Sequence, residues 1–334
     1  MKAKKKERPR ENDNILSEST RSYIFKQFRK ELDTKTKKYK EEKGLDISFD
    51  ICQDNSNPNE LVSSIFNLAY FYDENFLGNK DFIHIPAITQ IANNMLKYPV
   101  ILASRKELDG SNEILGATTI KMENNNSITK NPYFPTKNQN VLSITGVLSK
   151  PNVYQGDTKI RGIGKELYKS SIQSAIEVNK EKNIRLICEI DVRNTNSFNS
   201  ICNAVRELRE EGTDVQLFIA GYYEIFGKDK KMVEAPTFIL ELDLDGTKSL
   251  DENHVDFSYL DSDLNNLYDD LSSKVRAQVK ETKRYINMKN SNSIVYHSIK
   301  PINALNVSIE VGLTAEGNDR KRELSPIQIE YVNS

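Results

Sequence analysis

Segments with the two-residue period of a half-buried strand alternate with segments of helical period between residues 45 and 245, and few folds accommodate that order. The first strand pattern is the clearest, because apolar and polar side chains alternate from Leu45 to Cys52. The alternation predicts an α/β fold with a central sheet flanked by helices. Further strand patterns cover residues 100–104, 114–122, 141–149, 184–192, 215–226 and 237–244.

A separate helix is predicted ahead of the sheet, over residues 17–44. Ser17 or Ser19 suits its N-cap, and Gly44 suits its end. Four other helical patterns connect the strands, so the predicted sheet has helices to cover it. They occupy residues 61–72, 86–96, 159–178 and 195–210.

The two ends of the chain differ from this region. Residues 1–16 are rich in Lys and Arg and poor in apolar side chains, which predicts a disordered basic tail. A nucleic-acid contact through that tail is the alternative interpretation. Residues 246–334 combine a helical apolar stripe at 264–275 with a strand pattern at 305–313. They are predicted to be a C-terminal α+β extension, either packed on the sheet or forming a small second domain.

Composition excludes several classes of protein. With 334 residues, 37% of them hydrophobic, the chain can bury a large core and needs no disulfide scaffold. A formal net charge of −1 disfavours a protein built to coat nucleic acid or an anionic membrane. Cys52, Cys188 and Cys202 lack the spacing of a metal site, so no metal is expected. Because no apolar segment is long enough to span a bilayer, a cytoplasmic location is expected.

A glycine-rich turn at residues 159–165, with the sequence KIRGIGK, lies between a strand and a helix. The free backbone N–H groups and the dipole at a helix start favour phosphate or pyrophosphate. A Walker loop is excluded, because Gly162 and Gly164 are too close together and Glu166 follows Lys165. A dinucleotide fingerprint is also excluded, because Leu167 occupies the place of its third glycine.

This turn resembles the acyl-CoA loop of the GNAT superfamily of N-acyltransferases, whose motif is Gln/Arg-x-x-Gly-x-Gly/Ala after a fourth strand. Lys159 stands where the family has Gln or Arg. The order of strands and helices over residues 45–245 is also similar to that of the family. The resemblance implies a GNAT-like domain there, with acetyl-CoA or another acyl-CoA as the cofactor.

The resemblance also implies how the cofactor binds. In the family the fourth and fifth strands part at their ends, and the pantetheine arm pairs with the fourth strand in the gap. The amides of the turn hold the pyrophosphate, and an Asn-x-x-Ala motif after the fifth strand contacts the arm. The corresponding residues here are Leu148, Ser149, Lys159, Ile160, Arg161, Gly162, Ile163, Gly164, Lys165, Asn194 and Ser197.

Two departures from the family pattern affect the mechanism. Many members carry a tyrosine four residues after the Ala of that motif, where it protonates the leaving thiolate, and Ile201 stands there in this chain. The usual general acid is therefore missing or supplied elsewhere. The loop between Pro151 and Lys159 is also longer than in the simplest members.

Candidates for proton transfer lie on the last strands. Alternation places Glu189 and Asp191 on one face of the fifth strand, where either could take a proton from an attacking amine. The alternative is that both carboxylates form ion pairs on the outer face. Tyr222 is a third candidate, for the acceptor pocket, with Tyr223 on the opposite face. Cys188 is expected in the core rather than as a nucleophile.

The sequence therefore predicts an N-acetyltransferase that moves an acetyl group from acetyl-CoA to a primary amine by direct attack. The acceptor, a small molecule or a protein, is left open. Residues 246–334 could form a lid, a partner surface or a homodimer interface. The alternative is a catalytically inactive GNAT-fold protein that binds a partner through this extension.

Overall fold

The computed structural model describes most of the predicted sheet and three helices. Described are residues 16–52, 98–107, 110–124, 140–150, 153–191, 194–226, 232–248, 255, 291–298, 307–314 and 329–331. The predicted helices at 61–72, 86–96 and 264–275, and the tail before residue 16, lie outside these residues. Within the described part, no helix is both long and apolar enough to cross a membrane.

Helix α1 spans Glu18–Lys43 and has both predicted ends. Ser17 is the N-cap, and its hydroxyl accepts a hydrogen bond from the Thr20 amide at 3.2 Å. Gly44 ends the helix with φ of 62°, a left-handed conformation that costs glycine little. Helices α2 and α3 span Ile163–Lys182 and Thr195–Glu210.

The seven central strands of the sheet are β1 Ser48–Cys52, β2 Val100–Lys106, β3 Asn112–Asn124, β4 Asn140–Ser149, β7 Ile184–Asp191, β8 Gln216–Phe226 and β9 Met232–Asp243. They lie in the order β1-β2-β3-β4-β7-β9-β8. The sheet is mixed, because β4 and β7 pair in parallel and every other neighbouring pair among these strands is antiparallel. The strand patterns of residues 45–245 and the α/β fold class are thus confirmed.

Three strands of the C-terminal extension continue this sheet. They are β10 Ser291–Ser298, β11 Val307–Thr314 and β12 Ile329–Tyr331. Strand β10 pairs antiparallel with β8, and β11 and β12 follow in turn. The strand pattern predicted at 305–313 corresponds to β11.

Strand β4 carries a bulge near its end. Thr119 pairs with Thr145 and Ala117 with Leu148, so Gly146 and Val147 together oppose one residue of β3. Gly146 has φ of 62°, which a residue with a side chain seldom adopts. The bulge redirects the last residues of β4, just beyond the point where its pairing with β7 ends.

The three described helices share one hydrophobic core with the sheet. Phe28 of α1, Ile172 of α2 and Phe198 of α3 are fully buried in it, together with Ile144 and Leu186 of the central strands. Helix α2 packs between α1 and α3. The amphipathic patterns therefore act as predicted, each burying its apolar side.

Two local expectations need correction. Residues 153–160, expected as a loop, form a small hairpin of β5 Val153–Gln155 and β6 Thr158–Ile160, which turns at Gly156. Helix α2 begins at Ile163 rather than Lys159, because Gly162 is left-handed and cannot be part of the helix.

Candidate functional site

A cleft of about 620 Å³ opens between the end of β4, hairpin strand β6 and the starts of α2 and α3. It brings together most of the residues that the sequence assigned to cofactor binding. Those lining it are Ser149, Lys159, Ile160, Arg161, Gly162, Ile163, Gly164, Lys165 and Ser197. Segments nearly fifty residues apart in the chain thus form one site.

The start of α2 presents free backbone donors to this cleft. Gly162 is its N-cap, with φ of 80° and no side chain to cap the helix. The first helical hydrogen bond runs from the Glu166 amide to the Gly162 carbonyl at 2.9 Å. The amides of Ile163, Gly164 and Lys165 precede that bond, so they can donate to an anion.

Two serine hydroxyls lie close to the start of α2. A Cβ on Gly164 would lie 3.4 Å from Ser149 Oγ and 3.8 Å from Ser200 Oγ, which are ordinary van der Waals distances. Polar groups of β4 and α3 therefore border the helix start on this side of the cleft.

The basic side chains around the cleft differ in their exposure and in the ion pairs they form. Lys159 and Arg161 are exposed on its wall. Lys165 forms an ion pair with Glu207 of α3, and Lys169 binds the same carboxylate at 3.2 Å. Burial would raise the pKa of Glu207, but the hydrogen bonds from these lysines lower it. Glu207 therefore stays charged and offsets part of the positive field.

Leu148 and Asn194 do not line the cleft with the other predicted residues. Leu148 is 2% exposed, and its backbone pairs with Ala117 of β3. Asn194 is the N-cap of α3, and its Oδ1 accepts from the Ser197 amide at 3.0 Å. Its predicted contact with a cofactor arm stays a prediction, whereas its capping role is directly visible.

The predicted acid–base candidates lie further along the sheet. Glu189 is half-buried on β7, between the buried side chains of Cys188 and Ile190, as the alternation predicts. The backbone of Asp191 pairs with Thr237 of β9, and that of Tyr222 pairs with Phe238. The side chains of Asp191, Tyr222 and Tyr223 lie outside the described residues.

Cys188 does not suit a nucleophile, because its burial raises the pKa of the thiol to about 12. Its side chain is 1% exposed in the core. Cys52 and Cys202 are also free thiols, and burial raises the pKa of each. A thiolate mechanism is therefore disfavoured at all three positions.

Several cleft residues were missed by the sequence analysis. Asn196, Ser200 and Asn203 form a polar stripe on α3, with the spacing of one helical face. The Oδ1 of Asn203 is buried and has no hydrogen-bond partner within the described residues. The stripe is visible in the sequence, but a polar helical face ordinarily meets water, so it gave no distinct signal.

An ion-pair network lies directly beneath the turn. Glu166 is 4% exposed and binds Lys35 of α1, with Lys43 at 3.5 Å. Burial would raise the pKa of Glu166, but the charge and hydrogen bond of Lys35 lower it to about 2. This network fastens α1 to the first turn of α2 and so holds the glycine turn in place.

The cleft as a whole suits an extended ligand with an anionic end. Helix amides and exposed cations lie at the glycine turn, and serine and asparagine side chains continue along α3. In comparisons with known proteins, no family model and no curated protein sequence matches the chain.

Proposed function

We propose that this chain is an acyl-CoA-dependent N-acyltransferase of the GNAT type, which transfers acetyl from acetyl-CoA to a primary amine. The observation that carries the proposal is the cleft, because nine of the eleven residues expected to hold the cofactor line it together. A turn that served only to connect β6 to α2 would not require Ser149 and Ser197 to meet it.

The parting of β4 and β7 supports the same proposal. Their parallel pairing runs from Asn140 and Ile184 to Ile144 and Cys188 and then stops, although β4 continues to Ser149. Backbone groups at the end of β4 on its β7 side are thereby available to a ligand. An amide-containing arm such as pantetheine is suited to pair with them.

The residues of the site fit the cofactor. The amides of Ile163, Gly164 and Lys165 would hold the pyrophosphate, and Lys159 and Arg161 would add charge. The unpartnered Oδ1 of Asn203 supplies an acceptor for an N–H group of the ligand. Acetyl-CoA supplies an acyl group activated as a thioester.

The chain's own groups must accept a proton, because only a neutral amine attacks. Glu189 is the first candidate, since it lies on β7 immediately beyond the last pair with β4. Asp191 of β7 and Tyr222 of β8 are the further candidates. The substrate is a small molecule or a protein amine, and we place the reaction in the cytoplasm.

The aliphatic side chain of Ile201 favours a second candidate, a binding protein without activity. Ile201 stands in the position of the family's tyrosine, where it is fully buried and has no proton to give to a leaving group. Such a protein would bind CoA compounds but release no thiol with any amine. Release of free CoA in an amine screen distinguishes the two functions.

Calorimetric titration with acetyl-CoA and CoA, with ATP and NAD as controls, tests the cofactor site. The decisive variant is Gly162→Val, which puts a side chain at the turn and strains a left-handed residue. We expect its affinity for acetyl-CoA to fall about tenfold or more, because the N–H groups of the first three helix residues would no longer point at the pyrophosphate.

Gly212→Val is the matched control. Gly212 has φ of 84° with no atom within 4 Å of an added Cβ, and it lies at the far end of α3. It therefore carries similar backbone strain outside the cleft. Equal loss of affinity in both variants, or wild-type binding of ATP and NAD as tight as of CoA, would contradict the assignment.

A further inference from the structure

Tyr168 of α2 is a cleft residue whose phenolic hydroxyl contacts α3 and β7. The residue is 2% exposed and lines the cleft beside Ser197. Its hydroxyl forms a 2.6 Å hydrogen bond with Ser197 Oγ of α3, and Cys188 Sγ of β7 donates to it at 3.9 Å. The hydroxyl thus lies where α2, α3 and β7 meet.

That position coincides with the opening of the sheet. Cys188 is the last residue of β7 that pairs with β4, so the Tyr168 hydroxyl lies beside the point where the strands begin to part. Gly164, at the helix start, precedes Tyr168 by one helical turn on the same face. A ligand held at the turn and entering the gap therefore passes this hydroxyl.

We propose that Tyr168 is the general acid of the transfer, donating a hydrogen bond and then a proton to the leaving sulfur. This inference rests on the proposed function. A neutral phenol can donate a hydrogen bond, and then a proton, to negative charge that develops next to it. A tyrosine reaching the cleft from α2 would replace the donor that Ile201 on α3 cannot provide.

The proton balance of the step is complete. The amine nitrogen forms a bond to the carbonyl carbon, and the carbon–sulfur bond breaks with its electron pair on sulfur. Tyr168 Oη gives its proton to that sulfur, and the amine gives its surplus proton to Glu189 or to water. Water then returns a proton to the Tyr168 oxygen, with Ser197 as the adjacent hydrogen-bonding group.

The competing explanation is that Tyr168 and Ser197 only tie α2 to α3. Two variants separate these roles, because Tyr168→Phe and Ser197→Ala both remove the same hydrogen bond. Only Tyr168→Phe removes the donor that would face the sulfur. Melting temperature and calorimetric CoA binding confirm that each variant is folded.

The measurement is the pKa of the thiol of bound CoA, followed by the ultraviolet absorbance of its thiolate. A titration with S-methyl-CoA provides the baseline for the protein's own tyrosines. A hydrogen bond to the thiolate favours that form. We expect the thiol pKa to be about one unit higher in Tyr168→Phe than in the wild type, a tenfold change in acidity. Ser197→Ala also alters the cofactor cleft, so it should raise the thiol pKa somewhat, but by less than Tyr168→Phe does.

Three other results would contradict either the role of Tyr168 or the cofactor site. An equal rise in both variants would assign the pair to structure alone, and no rise in either would show that Tyr168 does not reach the sulfur. Wild-type protein that binds neither CoA nor S-methyl-CoA would overturn the proposed function itself. The calorimetric signal thus separates failure of the site from failure of Tyr168.

Discussion

Two glycines of the cleft matter because they have no side chain, whereas Glu189 matters because of its charge. Gly162 adopts φ of 80°, and Gly164 lies beside Ser149 and Ser200 at the helix start. Together they keep the helix amides accessible, which a side chain at either position would hinder. Glu189 differs, because its proposed role depends on a charge near the opening between β4 and β7.

Glu189→Gln tests that role. We expect turnover with an acceptor amine to fall by about a hundredfold near neutral pH, with the affinity for acetyl-CoA unchanged. The loss should shrink as pH rises, because the amine then loses its proton without a base. The pH profile of thiol release measures this, and an unaltered profile would return Glu189 to an ion-pairing role.

Among the elements, α1 and α2 depend on one buried carboxylate for their junction. The pKa of Glu166 is lowered from 4.5 to about 2 in the folded protein. Its contribution to stability is therefore present above pH 4.5 and is lost as pH falls from 4.5 towards 2. The size of that contribution is at most about 3 kcal/mol.

We expect the melting temperature of the wild type to fall steeply across this interval. Glu166→Gln should be less stable at neutral pH, since it leaves Lys35 buried without its charge partner, and should show a shallower acid slope. The double variant Lys35→Met with Glu166→Leu is the control, because an apolar pair can retain the packing without the titration. Identical slopes in all three proteins would exclude Glu166 as the source.

Three strands of the sheet, β7, β9 and β8, lie between the cleft strand β4 and the C-terminal strand β10. The cleft lies at β4 and the helices beside it, whereas β10 pairs with β8, beyond β9. Strand β10 thus covers backbone groups of β8 that would otherwise form an open edge. The three described strands of the extension therefore belong to this sheet.

Removal of residues 291–334 should therefore promote self-association through β8 and leave the affinity for CoA unchanged. Light scattering after size-exclusion chromatography measures the association, and calorimetry measures the affinity. A truncated protein that stays monomeric with full stability would show that β10 does not protect this edge. Lost CoA binding in a folded truncation would instead link the extension to the cleft.

Features that depend on neighbours in the chain could be predicted from the sequence. The period of the strands, the Ser17 cap, the end at Gly44 and the glycine turn arise from local sterics and hydrogen bonds. The family resemblance that the turn carries, rather than local sterics, predicted eleven cofactor residues, and nine of them line the cleft. Where these local preferences agree with burial, the observed elements follow them closely.

Tertiary structure alone decided how those elements meet. The insertion of β9 between β7 and β8, the bulge at Gly146 and the parting of β4 from β7 arise from pairings between distant segments. The bond between Tyr168 and Ser197 spans 29 residues of sequence, so no local pattern could indicate it. The amino-acid sequence by itself determined the elements and the glycine turn, whereas non-local packing decided which polar side chains share the cleft, because burial and pairing act across the fold.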